Sequence, residues 1–486
     1  MKLDYALLTD LYQITMAQGY WESGKGATEA CFHMYFRDYP FKGGYAVACG
    51  MAQLAELVEG FAFSEEDRAY LASLDAPGGG RLFKQEFLDY LAGYRLSVDI
   101  DAVPEGTVVF PHEPIVRVCG PIMDCQLIET ALLNCVNFET LIATKAARVC
   151  QAAQAPVAEF GLRRAQGAAG GLWASRAAVV GGCASTSNVL AGKLFGIPVS
   201  GTHAHSWVMS FPDELSAFRA YAEAFPKNCI LLVDTYDVAQ GVRNAITVGL
   251  EMRARGERLA GIRIDSGDLA WLAKMARRML DEAGLSDCGI VLSNDLDEFT
   301  IQSIRDEGAQ VMSWGVGTKL ACAYDQPTLG GVYKLSATRE PGEREWTDRL
   351  KISESVGKAH HARRAGRAAL LLLRQRAAGR RHGVRRERAG RPEPRGDRGP
   401  LRRPAAEEPC GAVLQDAARA AGARRQTVLD AAGRDALAAR ARAQEGLALL
   451  DESQKRMLNP HTYPVGLEYG LFERRRELVA RMRGIA

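Results

Sequence analysis

No two of the eleven cysteines in this 486-residue sequence form a C-x-x-C pair; they are scattered from Cys31 to Cys410. An odd number of scattered thiols suits neither a zinc framework nor a disulfide scaffold, and fits a reducing compartment. No apolar run reaches the roughly 18 residues that a membrane span needs. The opening MKLDYALLTD has no basic stretch leading into an apolar one, so no secretory signal is expected and the chain reads as cytoplasmic. Net charge is also scarce, at +3, and no whole-protein basic field points to nucleic acid. That small total hides an uneven spread. Fifteen arginines between Arg363 and Arg403 face only Glu387, Glu393 and Asp397, a local excess of twelve positive charges that leaves the remainder mildly acidic.

What is present is apolar and periodic. With 47% hydrophobic and 24% charged residues, the chain suits a globular protein of two or three domains. TDLYQITMAQGYW carries a capping residue, Thr9, an acid in the first turn, Asp10, and apolar residues at helical spacing. CFHMYFRDYP reads as a strand, and VDIDAVPEGTVVFPHEPIVRVCG as short strands broken by Pro and Gly. From about residue 150 short apolar runs recur: PVAEF (156–160), IPVSG (197–201), CILLVD (229–234), GIRID (261–265), GIVLS (289–293), QVMSW (310–314) and GVYKL (331–335). Polar or Gly-rich residues and a helical pattern follow them, the rhythm of βα units on a parallel sheet. The expected fold class is α/β, with an irregular (β/α) barrel behind an N-terminal α/β domain. The expected divisions are 1–115, 116–345 and a C-terminal region, 346–486. In such barrels the residues just after each strand line the active face.

Residues 359–454 break the pattern. They hold twenty-one Arg and no Lys, aromatic residue, Ile, Met or Asn. A basic arm for nucleic acid would be Arg-rich. A GC-rich gene read out of frame would give the same Arg/Ala/Gly/Pro bias and is the simpler account, placing the aberrant stretch at 359–435. The ordinary pattern returns in LALLDESQKRMLNPHTYPVGLEYGLF.

The strand tails carry the chemistry. GIRIDSGDL puts Arg263 and Asp265 on one side of a strand, because alternate residues share a face. Asp265 and Asp268 suit ribose hydroxyls or a hard cation; Asp268, like Ser266, equally suits a helix cap. WGVGTKL places Gly315, Gly317 and Thr318 where backbone N–H groups can approach a phosphate. FGLRRAQG offers Arg163 and Arg164 for a carboxylate or phosphate. Asp234, Asp237, Asn294, Asp295 and Asp297 add acids and an amide to the same face. Arginines, acids, glycines and hydroxyls together suit a sugar phosphate with a metal. GTHAHSW then adds His203 and His205. A binuclear metal hydrolase also uses His-x-His but needs further histidines after later strands. The only ones downstream are His360, His361, His382 and His461, none in a strand tail. A structural imidazole and a catalytic one, as nucleophile or acid/base, also remain open.

TDLYQITMAQGYW, EFGLRRAQG, GTHAHSW, VDTYD with VRNA, GIRIDSGDL, GVGT with QPTLGGVYKL, and LNPHTYPVGLE resemble, in this order, the nicotinate phosphoribosyltransferase family. The likeness runs from about residue 4 to 357 and resumes near 440. It implies the type II phosphoribosyltransferase barrel, a homodimer with the site near the subunit interface, and no membrane or nucleic-acid partner. It also implies ATP-assisted condensation of nicotinate with phosphoribosyl pyrophosphate to nicotinate mononucleotide, with Mg²⁺ held by unspecified residues. His205 matches the histidine that ATP phosphorylates. Tyr12, Arg163, Thr202 and Arg263 are expected at nicotinate; Asp265, Gly315, Gly317 and Thr318 at phosphoribosyl pyrophosphate. His203 falls at a variable position of the motif, so His203→Ala is expected to be nearly silent. A related enzyme taking nicotinamide or quinolinate, and an impaired pseudoenzyme with a nucleic-acid-binding arm, are the alternatives.

Overall fold

Ala30 to Tyr35 are all buried, as a central strand covered on both faces requires. They make up most of strand β1 (Glu29–Tyr35) in a computed structural model that describes residues 6–351, 431–465 and 469–482. Between β1 and β5 the connecting strands are β2 (Ala46–Val47), β3 (Asp99–Ala102) and β4 (Val108–Val109), with β5 at Val116–Pro121. β1 pairs antiparallel with β5, and β5 with β3; β2 and β4 form a separate two-stranded ladder. Ahead of β1, helix Leu11–Glu22 starts at Asp10 rather than at Thr9, and Asp10 makes no side-chain capping bond.

The second sheet has six parallel strands. They are β6 (Val157–Glu159), β7 (Ser185–Thr186), β8 (Ile230–Leu232), β9 (Gly261–Ile264), β10 (Gly289–Asn294) and β11 (Ser313–Val316). Their order is β7-β6-β11-β10-β9-β8. Sequential strands are neighbours everywhere except at β7 and β8, and β6 pairs with β11 to bring the series round. The result is an irregular α/β barrel with one open seam, between β7 and β8.

Two expected runs behave differently. GVYKL is not a barrel strand: it begins β12 (Val332–Arg339), which pairs antiparallel with β1 in the first sheet and carries β13 (Thr347–Asp348) on its far side. A short apolar run does not reveal which sheet it joins. The first sheet thus takes strands from 116–121 and 332–339, inside the range expected for the barrel. IPVSG makes only a single bridge, Val199 beside Thr186.

The acids after three strands explain the helix starts. Asp237, Asp268 and Asp297 each accept a hydrogen bond from a backbone amide three residues on: Gln240 at 2.7 Å, Trp271 at 3.0 Å and Thr300 at 2.7 Å. The helices Val238–Ala254, Leu269–Glu282 and Glu298–Asp306 follow. The 25-residue helix Glu129–Ala153 buries both apolar and ionic groups. On it, Lys145 and Arg148 pair with the fully buried Glu298 at 2.6 and 2.8 Å. Nearby, buried Glu139 and Glu105 flank Arg176; burial, offset by Arg176, pushes the Glu139 carboxyl up to about 8.

The aberrant stretch expected at 359–435 lies, up to residue 430, outside the described residues. Beyond it, Asp435 caps helix Ala436–Ala448, whose Ala436, Ala439 and Ala443 are buried. A Cβ on Gly106 would sit 2.0 Å from the Ala439 carbonyl oxygen, and one on Gly44 2.2 Å from that of Gln454. No described helix is long and apolar enough to cross a membrane.

Candidate active site at the barrel seam

The parallel register sets Val291 beside Arg263 and Leu292 beside Ile264, so Ser293 stands level with Asp265 at the strand ends. The Arg263 guanidinium gathers this face. Its Nε donates to Ser293 Oγ at 2.7 Å, one Nη to Thr202 Oγ1 at 3.1 Å, and the other to Asp265 Oδ1 at 3.2 Å. Ser293 Oγ also donates to Asp265 Oδ1, at 2.6 Å. Of the five N–H groups on the fork, two have no partner among the described residues, one on each Nη. The Arg263 guanidinium carbon lies 5.6 Å from the centroid of the Phe160 ring, within cation–π range.

His205 stands beside this cluster and opens helix His205–Met209. Its Nδ1 is 3.2 Å from Thr235 Oγ1 and its Nε2 3.9 Å from Asp265 Oδ2, with the side chain 41% exposed. Nδ1 is therefore held by Thr235, Nε2 lies on the side of the Asp265 carboxylate, and the ring as a whole is partly exposed. Asp234 ties the floor: its Oδ2 accepts from the Asp265 amide at 2.9 Å and from Ser266 Oγ at 2.6 Å. Its Oδ1 is buried with no hydrogen-bond partner among the described residues.

His203 points the other way. It is 8% exposed, against the rings of Tyr221 and Phe218, and its Nε2 accepts from the Leu232 amide at 3.2 Å. Burial, with Arg263 and His205 nearby, lowers its pKa to about 4. A variable spectator does not fit that placement.

The other expected residues divide. Gly315 lies under the cluster, and Gly317 against the backbone of Phe160 and Gly161. A Cβ on Gly315 would be 2.7 Å from the Phe160 ring and 3.1 Å from Ser293 Cβ. Gly315 thus makes room for the ring that faces Arg263. Thr318 begins the short helix Thr318–Ala321 after β11, and the next residue, Lys319, pairs with Asp297 at 2.8 Å. Arg163 is exposed on the 3-10 turn Leu162–Arg164 and makes none of the hydrogen bonds of the cluster. Tyr12 stands apart: it is 48% exposed on the first helix, near Asp10, Gln13, Glu129 and Thr130, and burial raises its phenol pKa. Asn244 of VRNA donates to the buried Glu214 at 2.9 Å, a structural bond.

Sequence patterns missed Ser293, Thr235 and Phe160. Ser293 was visible as the polar end of GIVLS, but only the register places it against Arg263.

Two family models cover this architecture. The nicotinate phosphoribosyltransferase (NAPRTase) N-terminal domain matches residues 7–137, and the NAPRTase family matches 156–360. The nicotinate phosphoribosyltransferase of Bacillus subtilis (strain 168) is 49% identical over 357 residues, spanning 73% of this chain and 70% of that protein. The chain belongs to the nicotinate phosphoribosyltransferase family. The Homo sapiens member is 38% identical over 388 residues, covering 68% of this chain and 71% of its own length. A crystal structure of the human nicotinic acid phosphoribosyltransferase superposes with a TM-score of 0.71 at 31% identity, covering 97% of this chain and all of that one. The Pyrococcus furiosus nicotinate-nucleotide pyrophosphorylase, at 21% identity and TM-score 0.56, shares the fold.

Proposed function

We propose that this chain condenses nicotinate with phosphoribosyl pyrophosphate to nicotinate mononucleotide and pyrophosphate, assisted by ATP. The observation that carries this is the Thr202–Arg263–Ser293–Asp265 network beside the partly exposed His205 imidazole. Nicotinate is a flat anion. The two free N–H groups of Arg263 suit its carboxylate, and the Phe160 ring offers the neighbouring apolar face. Tyr12 is too far along the fold to be read from the same cluster. In a homodimer with the site near the subunit interface, an exposed Tyr12 would be contributed across that interface. Arg163, exposed on its turn, is proposed to close on the bound anion.

Condensation breaks the anomeric C–O bond and forms a C–N bond to the pyridine nitrogen, with positive charge developing on the sugar while pyrophosphate leaves. Asp265 is placed to hold ribose hydroxyls, and the turn of Gly315, Gly317 and Thr318 to meet phosphate oxygens with N–H and hydroxyl donors. For ATP, the Nε2 lone pair of His205 would attack the γ-phosphorus as the bond to the bridging β-γ oxygen breaks. A proton on Nδ1 donated to Thr235 keeps Nε2 nucleophilic. The unpartnered Asp234 Oδ1 and the Asp265 carboxylate are hard oxygen donors of the kind Mg²⁺ takes. Bound there, the ion would screen phosphate charge. A cytoplasmic location, and a two-unit division that counts residues 116–121 and 332–339 with the first sheet, belong to the same proposal.

The test is a product assay with nicotinate, nicotinamide and quinolinate in parallel, each with and without ATP. Nicotinate mononucleotide formed from nicotinate and stimulated by ATP is the expected result. Preference for either other pyridine, or no product, overturns it.

A further inference from the structure

The barrel seam is closed by a side chain. On one bank, the Thr186 amide donates to the Pro198 carbonyl at 3.0 Å and the Ser200 amide to the Thr186 carbonyl at 2.9 Å, so residues 198–200 lie along the free edge of β7. On the other bank, the buried Leu232 amide at the end of β8 has its acceptor in His203 Nε2. The imidazole takes the place of the carbonyl that a closed ladder would supply. Because Nε2 accepts, the proton of the neutral ring sits on Nδ1, which lies 3.4 Å from the Ala204 carbonyl. Helix Glu214–Ala224 lays Tyr221 edge-on against the ring at 4.6 Å.

The residues on either side of His203 are the ones the reaction needs. Thr202 is held by Arg263 from β9, and His205 by Thr235 beyond β8. We propose that His203 is a positioning residue: its neutral imidazole stitches the seam and thereby fixes Thr202 and His205 relative to each other. The inference rests on the proposed nicotinate chemistry for its kinetic consequence, but not for the stitch itself. Without the imidazole, the Leu232 amide is left buried and unpaired, and the motif hangs on two hydrogen bonds at more open positions.

Two variants separate acceptor from volume. His203→Gln places a carboxamide oxygen close to the lost Nε2; His203→Leu fills the space with no acceptor. His203→Leu is expected to lower kcat at least about tenfold and to raise the ATP consumed per nucleotide formed, with the KM for nicotinate within about threefold of the wild type. His203→Gln is expected to restore kcat and coupling. Should His203→Leu fail to fold, the comparison of His203→Gln with the wild type decides, and a tenfold loss there overturns the proposal. Wild-type kinetics from a folded His203→Leu overturn it equally. Imidazole ¹⁵N shifts of the wild-type protein test the stitch apart from activity: a neutral ring protonated on Nδ1 at pH 6 supports it, and a charged or Nε2-protonated ring sinks it. An absence of product from wild-type enzyme, with the expected tautomer, would strike the nicotinate reading alone.

Discussion

Arg263 commits three of its N–H groups before any substrate arrives, and that fixes the plane in which the other two point. A lysine cannot reproduce it, since an ammonium is a point donor without a fork. Arg263→Lys should lower kcat/KM for nicotinate by about 100-fold, the scale of two charge-assisted hydrogen bonds, while the KM for phosphoribosyl pyrophosphate stays within a few-fold. Steady-state kinetics on both substrates check this. His205 carries a different load. His205→Ala should abolish ATP stimulation while leaving slow ATP-independent condensation, seen as nucleotide formed without ATP hydrolysis; retained ATP-stimulated turnover would end the phosphohistidine account. His203 has a signature in stability. Its folded pKa of about 4 lies below the ordinary 6.5 because burial disfavours the charged ring. The unfolded chain therefore binds the extra proton, so this contribution is complete above about pH 6.5 and fades as pH falls towards 4. Its full size is on the order of 3 kcal/mol. Urea midpoints of wild type should drop across that window more steeply than those of His203→Leu.

At the scale of elements, the legible parts were those that local chemistry dictates. Apolar runs a few residues long announced β6 and β8 to β11; an Asp cap and a helix follow β8, β9 and β10, and Asp268 proved a cap as that pattern allowed. The seam was not legible, because it depends on two edges, β7 and β8, that local patterns do not compare. GVYKL was misplaced for the same reason: its partner β1 lies some 300 residues earlier. Of the site, Arg263, Asp265, Thr202 and His205 lie together at the strand ends. Phe160 and Ser293 were silent, since a Phe or Ser at a strand end is ordinary until its neighbour is known. Close backbone approaches are equally silent in sequence. Gly106 combines a φ of +82° with helix Ala436–Ala448 where a Cβ would stand, so the chain there tolerates no side chain. Gly106→Ala should cost about 2 kcal/mol or more, read as a lower melting temperature and faster proteolysis around residues 436–448.

For the whole molecule, the question is whether the chain beyond residue 430 matters to the part that carries the site. Its contacts say that it does. The Arg434 carbonyl accepts from buried Arg176 at 2.8 Å, the Met457 carbonyl from buried Arg148 at 3.3 Å, and the Lys455 carbonyl from Gln151 at 2.7 Å. Tyr463 stacks on Phe110 with ring centroids 4.0 Å apart. Two of those donors are guanidiniums inside ion clusters that also hold helices Glu129–Ala153 and Glu298–Asp306, and Glu298 follows directly on the Asp297 that pairs with Lys319 beside Thr318. A charged donor stripped of an acceptor in a buried setting is expensive, about 1.5–3 kcal/mol for each bond. A chain ending at residue 430 should therefore lose on the order of 5 kcal/mol and should melt well below the full-length protein or fail to accumulate in soluble form. Supplying residues 431–486 as a separate polypeptide should recover part of that loss, since the same carbonyls would return to Arg176 and Arg148. A truncated chain that melts with the full-length protein would mean that these buried guanidiniums find other acceptors, and that the recovered pattern after residue 435 is dispensable to the fold.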